Sequence, residues 1–310
     1  FRSESMQNFL LGEYIRQRRL ELGLTQEEVC DGICEPITLS RIENGKQTPS
    51  RARINAILQR LDLPDDRYYA LLSKDELEIE GLEREIMACN IVGRTDEGFE
   101  KIALLQQISK SDDQLTRQFI LRSKALLGAS SKLYTEAEQI ELLMQAIKLT
   151  IRNFSLDEIE GHLYTRDEIK IINQIANAYS LSNNNKKAAD IFYQLLRYVK
   201  KHYHETVTTV GVLPMILYNY ARVLDLSGRY EEGAQLALEG KESCVKYGHY
   251  QFLSGCLEIY AECSHFLGND AESAKAYRQA YYLCEAIGRQ EDLEITKQEA
   301  LRYLGLKLGD

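Results

Sequence analysis

Proline is almost missing from the last three quarters of this 310-residue chain: Pro214 alone interrupts residues 74–310. Apolar residues recur there at 3.6-residue spacing, so the segment is predicted to be helix throughout, with no sheet. No apolar run approaches the ~18 residues of a membrane span, and no signal-peptide layout is visible. A cytoplasmic protein without a membrane partner is therefore expected. The seven cysteines (30, 34, 89, 244, 256, 263 and 284) are odd in number and lack a C-x-x-C pair, which excludes a disulfide framework and predicts reduced, mostly buried thiols. Cys30 and Cys34 have no His or third Cys close enough in sequence for a tetrahedral metal site, and a redox role for them stays open. Phosphate loop, H-E-x-x-H and G-x-S-x-G are all missing. The histidines of "HYH" at 202–204 have no acidic neighbour but Glu205. Catalysis, cofactors and metals are accordingly not expected.

The net charge of −9 is unevenly spread. Residues 6–73 hold 9 Lys/Arg against 10 Asp/Glu, and residues 74–310 hold 28 against 36. Residues 1–5 precede the first methionine, match no targeting pattern and are set aside as foreign. The length suits a small front domain, residues 7–73, followed by a repeat array over 74–310.

In the front segment "LGEYIRQRRLELG" puts Leu11, Ile15 and Leu22 on one helical stripe and Arg16, Arg18 and Arg19 off it, with Gly23 as the stop. "LTQEEVC" then offers Thr25 as N-cap and Glu28 as its reciprocal partner, a capping box opening a second helix that Asp31-Gly32 ends. "EPITLSRIENG" follows. Pro36 fits the first helical position, where its missing N–H costs nothing, and Glu35 favours the positive end of the helix dipole by about 0.3–1 kcal/mol. Leu39 and Ile42 form the buried side. Residues 54–72 complete the domain with two more helices around Ile54, Ile57, Leu58 and Leu61, the last capped by Asp65 or Asp66.

Two short helices joined by a tight turn and ending in Glu43-Asn44-Gly45 make a helix-turn-helix. "GLTQEEV" with "LSRIENGKQTPS" resembles the Xre/Cro-type DNA-binding domain over residues 11–73, although the spacing from Gln26 to Gly45 is one residue shorter than the commonest Xre pattern. The resemblance implies that Thr25 and Gln26 bind DNA and that Pro36, Ile37, Thr38 and Arg41 lie at the major groove, with Ile37 and Thr38 near thymine methyls and Arg41 near a guanine or phosphate. It also implies that Lys46, Thr48, Ser50, Arg51 and Arg53 contact phosphates, with Arg16 and Arg19 as additions. Phosphate contacts supply most of the affinity, so a nearly neutral domain can bind DNA if its cations share a face.

Behind the head, three stretches stack with Ala176, Ala221 and Ala261 in register, at shifts of 45 and 40 residues. Gly228 then coincides with Gly268, Ala188 with Gly233 and Ser273, and Phe192 with Ala237 and Tyr277. This series resembles the tetratricopeptide repeat, with degenerate copies at about 98–150 and a terminal cap in "ITKQEALRYLGLKL". The implied fold class is all-α: an N-terminal helix-turn-helix domain and a right-handed TPR-like α-solenoid. The first helix of each pair lines the concave wall of such a superhelix, placing Asn173, Asn177, Tyr218, Asn219, Arg222, Glu258, Glu262 and His265 there. Asn can pair with a peptide backbone in both directions, and Arg can clamp a carboxylate. Helix 75–92, with Leu77, Leu82 and Ile86 exposed to a neighbour, is the expected connector, unless it is simply the first repeat helix.

The combination resembles the RRNPP group of Gram-positive regulators (Rgg, Rap, NprR, PlcR and PrgX types). That resemblance implies a homodimeric transcription factor on an inverted-repeat operator of double-stranded DNA, controlled by a short signalling peptide in quorum sensing. An Xre-type repressor whose repeats hold a protein partner or a small molecule is the alternative.

Overall fold

A computed structural model describes residues 2–63, 74–110, 112–202 and 209–309. Within them are fifteen α-helices, one 3-10 turn and no strand. The chain packs as two compact units, one running to Ser182 and the other formed by Asn183–Lys201 and the chain from Thr209 on.

The first unit opens with α1 (Arg2–Glu21), α2 (Gln26–Cys30), α3 (Pro36–Glu43) and α4 (Arg51–Arg60). Ile15, Val29, Leu39, Ile42, Ile54, Ile57, Leu58 and Leu61 meet in one fully buried core, each contributing about 1.5–3 kcal/mol of transfer free energy. Two caps are the expected ones: Thr25 and Glu28 close a reciprocal box, and Pro36 starts α3 behind the N-cap Glu35. The Ser50 side chain, expected at a phosphate, accepts from Arg53 N at the start of α4. Gly23 takes a left-handed φ of 69° after α1. Leu22 departs from expectation: it lies beyond the end of α1 and is exposed, because the turn at Gly23 rotates it off the buried stripe.

Next come α5 (Lys74–Val92), α6 (Thr95–Ile108), α7 (Gln114–Ser130), α8 (Glu136–Thr150) and α9 (Arg166–Leu181). Ile86 is fully buried with Ile102, Leu105, Ile120 and Leu127, and Leu82 packs against them. The expected exposed stripe on α5 is thus corrected: these residues fill the first repeat core, and α5 is a repeat helix. Between α8 and α9 the chain leaves the helix over residues 151–165, apart from a 3-10 turn at Ile159–Gly161. The expectation of unbroken helix fails there because the apolar residues anchor a loop. Ile151, Ile159 and Tyr164 are buried, and the Tyr164 hydroxyl donates to Ile159 O at 2.7 Å. The 73/74 boundary, the cap at Asp65 or Asp66, the Leu77 side chain, and Tyr203 and His204 lie outside the described residues.

The second unit holds α10 (Asn185–His202), whose last residue lies beyond it, with α11 (Thr209–Leu226), α12 (Tyr230–Tyr247), α13 (Tyr250–Phe266), α14 (Asp270–Ile287) and α15 (Gln290–Leu304). From α11 to α15 each helix packs on the next, and α13 also lies beside α11 and α15. Ala221 and Ala261 are fully buried at the close approaches, as are Phe192, Ala237 and Tyr277 in the second helices. The turn positions Asn183, Gly228 and Gly268 share a left-handed φ of 62°, 70° and 80°, the geometry that favours Gly or Asn.

Candidate functional site: a helix-turn-helix head and a wall of repeat helices

The head is organised around one buried carboxylate. Glu43, at the end of α3 and 2% exposed, accepts from Arg19 Nε at 2.6 Å and a second Arg19 nitrogen at 3.0 Å, and from Gln26 Nε2 at 2.8 Å. Arg19 also donates to Leu24 O at 2.9 Å. Three helices are locked together by hydrogen bonds that satisfy both charges, as a buried ion pair requires. Arg19, 8% exposed, is therefore not a phosphate contact, which corrects that expectation. Its pKa is raised by the Glu43 hydrogen bonds.

Outside this hub lies a solvent-facing edge. Ile37 is 60% exposed, with Thr25, Arg41 and Lys46 exposed and Pro36 and Thr38 half-buried. An apolar side chain so exposed at the start of α3, in the same short helix as an exposed Arg, suits a groove with methyl groups and acceptors. Thr48, Ser50, Arg51 and Arg53 sit differently. They line a cleft of about 750 Å³ whose other walls include Glu80 and Glu83 of α5, Asp113, and Asp167 of α9. Arg51 pairs with Glu80 at 3.4 Å. Burial and then the charges of Asp167, Asp113 and Glu80 push the Glu83 carboxyl up to about 7.

The head is fastened to the repeats behind it. Arg60 donates to Val29 O at 3.0 Å, to Asp31 O at 2.7 Å and to Glu168 Oε1 at 3.1 Å, both charged groups being buried. Gln59 Oε1 accepts from Arg166 N at 2.9 Å. Gly32, at φ 65°, lies so close to the Thr150 backbone that a Cβ would come within 2.1 Å of its oxygen. All seven cysteines are free thiols, and all but the half-buried Cys34 are buried.

The eight residues expected on the repeat wall divide between the units. Asn173 and Asn177 lie on α9, in the first. Asn173 is buried, whereas Asn177 is half-buried and its Oδ1 has no hydrogen-bond partner. In the second unit, Asn219 is buried and donates from Nδ2 to Met215 O at 3.0 Å. Tyr218 is half-buried and packs over Gly255 and beside Phe252. Arg222 keeps a buried Nε without a partner.

Glu258 accepts from the Thr296 hydroxyl, and Glu262 from the Tyr303 hydroxyl at 2.6 Å. His265 Nδ1 lies 2.8 Å from Asp270 Oδ1, its ring against Phe266 and Tyr303. Sequence reasoning missed Asp225, Thr296, Glu299 and Tyr303, which complete this side-chain group. Asp225 could have been found at one helical turn from Arg222; Thr296, Glu299 and Tyr303 sit in a stretch read only as a cap.

Residues 10–70 match the family model of a helix-turn-helix domain. No curated protein matches the chain by sequence. Among solved structures, PlcR of Bacillus thuringiensis in complex with a peptide and DNA is 23% identical, with a TM-score of 0.61 over 92% of this chain and 98% of that one. Apo ComR of Streptococcus vestibularis is 16% identical, with a TM-score of 0.52 over 96% and 99%. An SHP pheromone receptor of the Rgg type from Streptococcus dysgalactiae is 14% identical, with a TM-score of 0.52 over 95% and 99%. The chain thus carries a helix-turn-helix domain in front of TPR-like repeats, in the fold shared by these PlcR, ComR and Rgg structures.

Proposed function

We propose that this protein is a cytoplasmic transcription regulator and not an enzyme, binding an inverted-repeat operator as a homodimer under the control of a short signalling peptide. The observation that carries the DNA half is the edge of α3. Ile37 and Arg41 face solvent on a helix whose other side is fixed by Glu43, Arg19 and Gln26. Lys46, Thr48, Ser50, Arg51 and Arg53 supply phosphate contacts beside it, those of the cleft after Arg51 exchanges Glu80 for DNA. Two heads on one duplex must match half-sites ~34–36 Å apart or a multiple.

The peptide half is supported by unpaired polar atoms on repeat helices. A buried donor without a partner costs about 1–3 kcal/mol, which a ligand acceptor would recover at Arg222 Nε. Tyr218, Glu258, Glu262 and His265 are the partly exposed neighbours on the same helices. On α9, Asn177 Oδ1 offers the matching acceptor within its own unit, and Asn173 and Asn219 hold their helices in place. A peptide changes DNA binding only through its differential affinity for two shapes, with a coupling of ~1–3 kcal/mol.

The test is native mass spectrometry of the full chain purified from its own host, followed by selection of binding sites from a random duplex pool. A dimer carrying the extra mass of a short peptide, and an inverted repeat in the selected DNA, are expected. A dimer without added mass, even after exposure to culture supernatant, would favour a groove that receives a protein or a small molecule. Failure to enrich any duplex would overturn the regulator reading.

A further inference from the structure

The wall formed by α11, α13 and α15 gathers four carboxyl groups, and the Arg222 guanidinium of α11 is not among the charges that act on Asp225, Glu258 or Glu299. Asp225 of α11 lies within reach of the Glu262 charge on α13 and accepts from the Cys263 thiol at 3.2 Å. Glu258 of α13 and Glu299 of α15 feel each other's charge, and Glu299 feels Glu262 and Asp225. None of the four is ion-paired among the described residues. The nearby cations are otherwise engaged: Arg289 pairs with Asp292 at 2.6 Å, and Arg302 stacks over the Tyr303 ring. From α14, behind the wall, Tyr277 adds an independent sign. It is 0% exposed, its hydroxyl has no hydrogen-bond partner, and it lies within electrostatic reach of Glu299, Glu262, Tyr303 and Glu258.

Four carboxyl groups without an ion pair, with a buried, unpaired hydroxyl beside them, offer acceptors that suit a cationic group. No three His, Cys, Asp or Glu among the described residues converge as metal ligands. An ammonium or guanidinium group, with several N–H donors, can bridge oxygens carried by three helices.

We propose that the wall built by Asp225, Glu258, Glu262 and Glu299 binds a cationic group of a short peptide: its free amino terminus, or a Lys or Arg side chain. This rests on the peptide reading above and gives that peptide a charge. Without the ligand, protons take the cation's place. Burial, reinforced by neighbouring carboxylates, pushes Asp225, Glu258 and Glu299 each up to about 7. The groups facing them are Cys263 for Asp225, Thr296, Asp292 and Arg289 for Glu258, and Arg302 for Glu299. Ligand affinity therefore rises as pH climbs through 7 and the protons leave.

Three heptapeptide pools with the same neutral residues test this on the full-length protein by fluorescence anisotropy. One is N-acetylated with a single Lys or Arg, one has a free amino terminus and no basic residue, and one is N-acetylated with a single Glu. At pH 8 one of the first two pools binds at least tenfold tighter than the third, which also identifies the source of the cation. That preference shrinks several-fold at pH 6 and disappears in the Asp225→Asn, Glu262→Gln, Glu299→Gln triple variant. Equal or tighter binding of the Glu pool overturns the inference and leaves the peptide reading standing. A preference that survives the triple variant overturns it for this wall. Binding of no pool overturns the peptide reading and this inference with it. Should the triple variant not fold, a wild-type preference that stays constant from pH 6 to 8 overturns the proposal.

Discussion

Glu43 occupies the last turn of the helix that carries Arg41, and the two residues have opposite relations to water. Glu43→Ala leaves the Arg19 guanidinium buried without its carboxylate, a loss expected to cost about 3–5 kcal/mol and to be read in urea unfolding. A change under 1 kcal/mol would show that Arg19 finds water instead. Arg41→Ala touches only the exposed edge. It should weaken binding to a selected operator by about 1–3 kcal/mol, relaxing preference at one base pair if Arg41 meets a guanine and weakening all sequences alike if it meets a phosphate. Its unfolding curve should match that of the wild type, and unchanged DNA affinity would remove it from the interface. At this scale the caps were readable in advance, since Thr25 with Glu28 and Pro36 behind Glu35 depend on neighbours within three positions. The role of Glu43 was not, because Arg19 is 24 positions away and looks in the sequence like one of three surface arginines.

Helices that pair with their neighbours in the chain were legible, and helices held by distant partners were not. Ala176, Ala221 and Ala261 revealed the repeat register because close approach of two helices needs a small residue at the same place each time. Ile86 was misjudged because a stripe on α5 reads the same whether it covers a neighbouring molecule or the chain's own α6 and α7. The loop over 151–165 was invisible since its apolar residues mimic helical spacing. The attachment of α4 to α9 belongs to the same class. Arg60 and Glu168 are 108 positions apart, and Glu168 also closes the cap of α9 by accepting from Thr165 N at 2.6 Å. Arg60→Leu strands that carboxylate and is expected to lower stability by about 3–5 kcal/mol. Adding Glu168→Gln should return part of the loss, giving a non-zero coupling in a double-mutant cycle. Strict additivity would mean that the pair contributes nothing.

For the molecule as a whole, three carboxyls of the acidic repeat wall join Glu83 of the first unit in setting the response of stability to pH. Asp225, Glu258 and Glu299 titrate near 7 in the folded chain and near 4 when unfolded. The folded state therefore holds extra protons between those values. The stability this confers is present below pH ~4 and lost as pH rises through 7. The melting midpoint should fall from pH 5 to 8, and Glu299→Gln should flatten that slope and raise the midpoint at pH 8, by roughly 2–4 °C for each kcal/mol restored. An unchanged slope in the variant would place the titration elsewhere. Glu258 and Glu262 were singled out in the sequence, but the gathering of like charges around them was not legible, because it needs α11, α13 and α15 side by side. The Arg60 attachment also has a mechanical meaning. With its guanidinium shared among α2, the turn after it and α9, and with Gly32 seated on the Thr150 backbone, α2 and α4 are pinned directly to repeat helices of their own unit. A displacement of α9 would carry α2 and α4 with it through that guanidinium, a stiff lever in place of a loose tether.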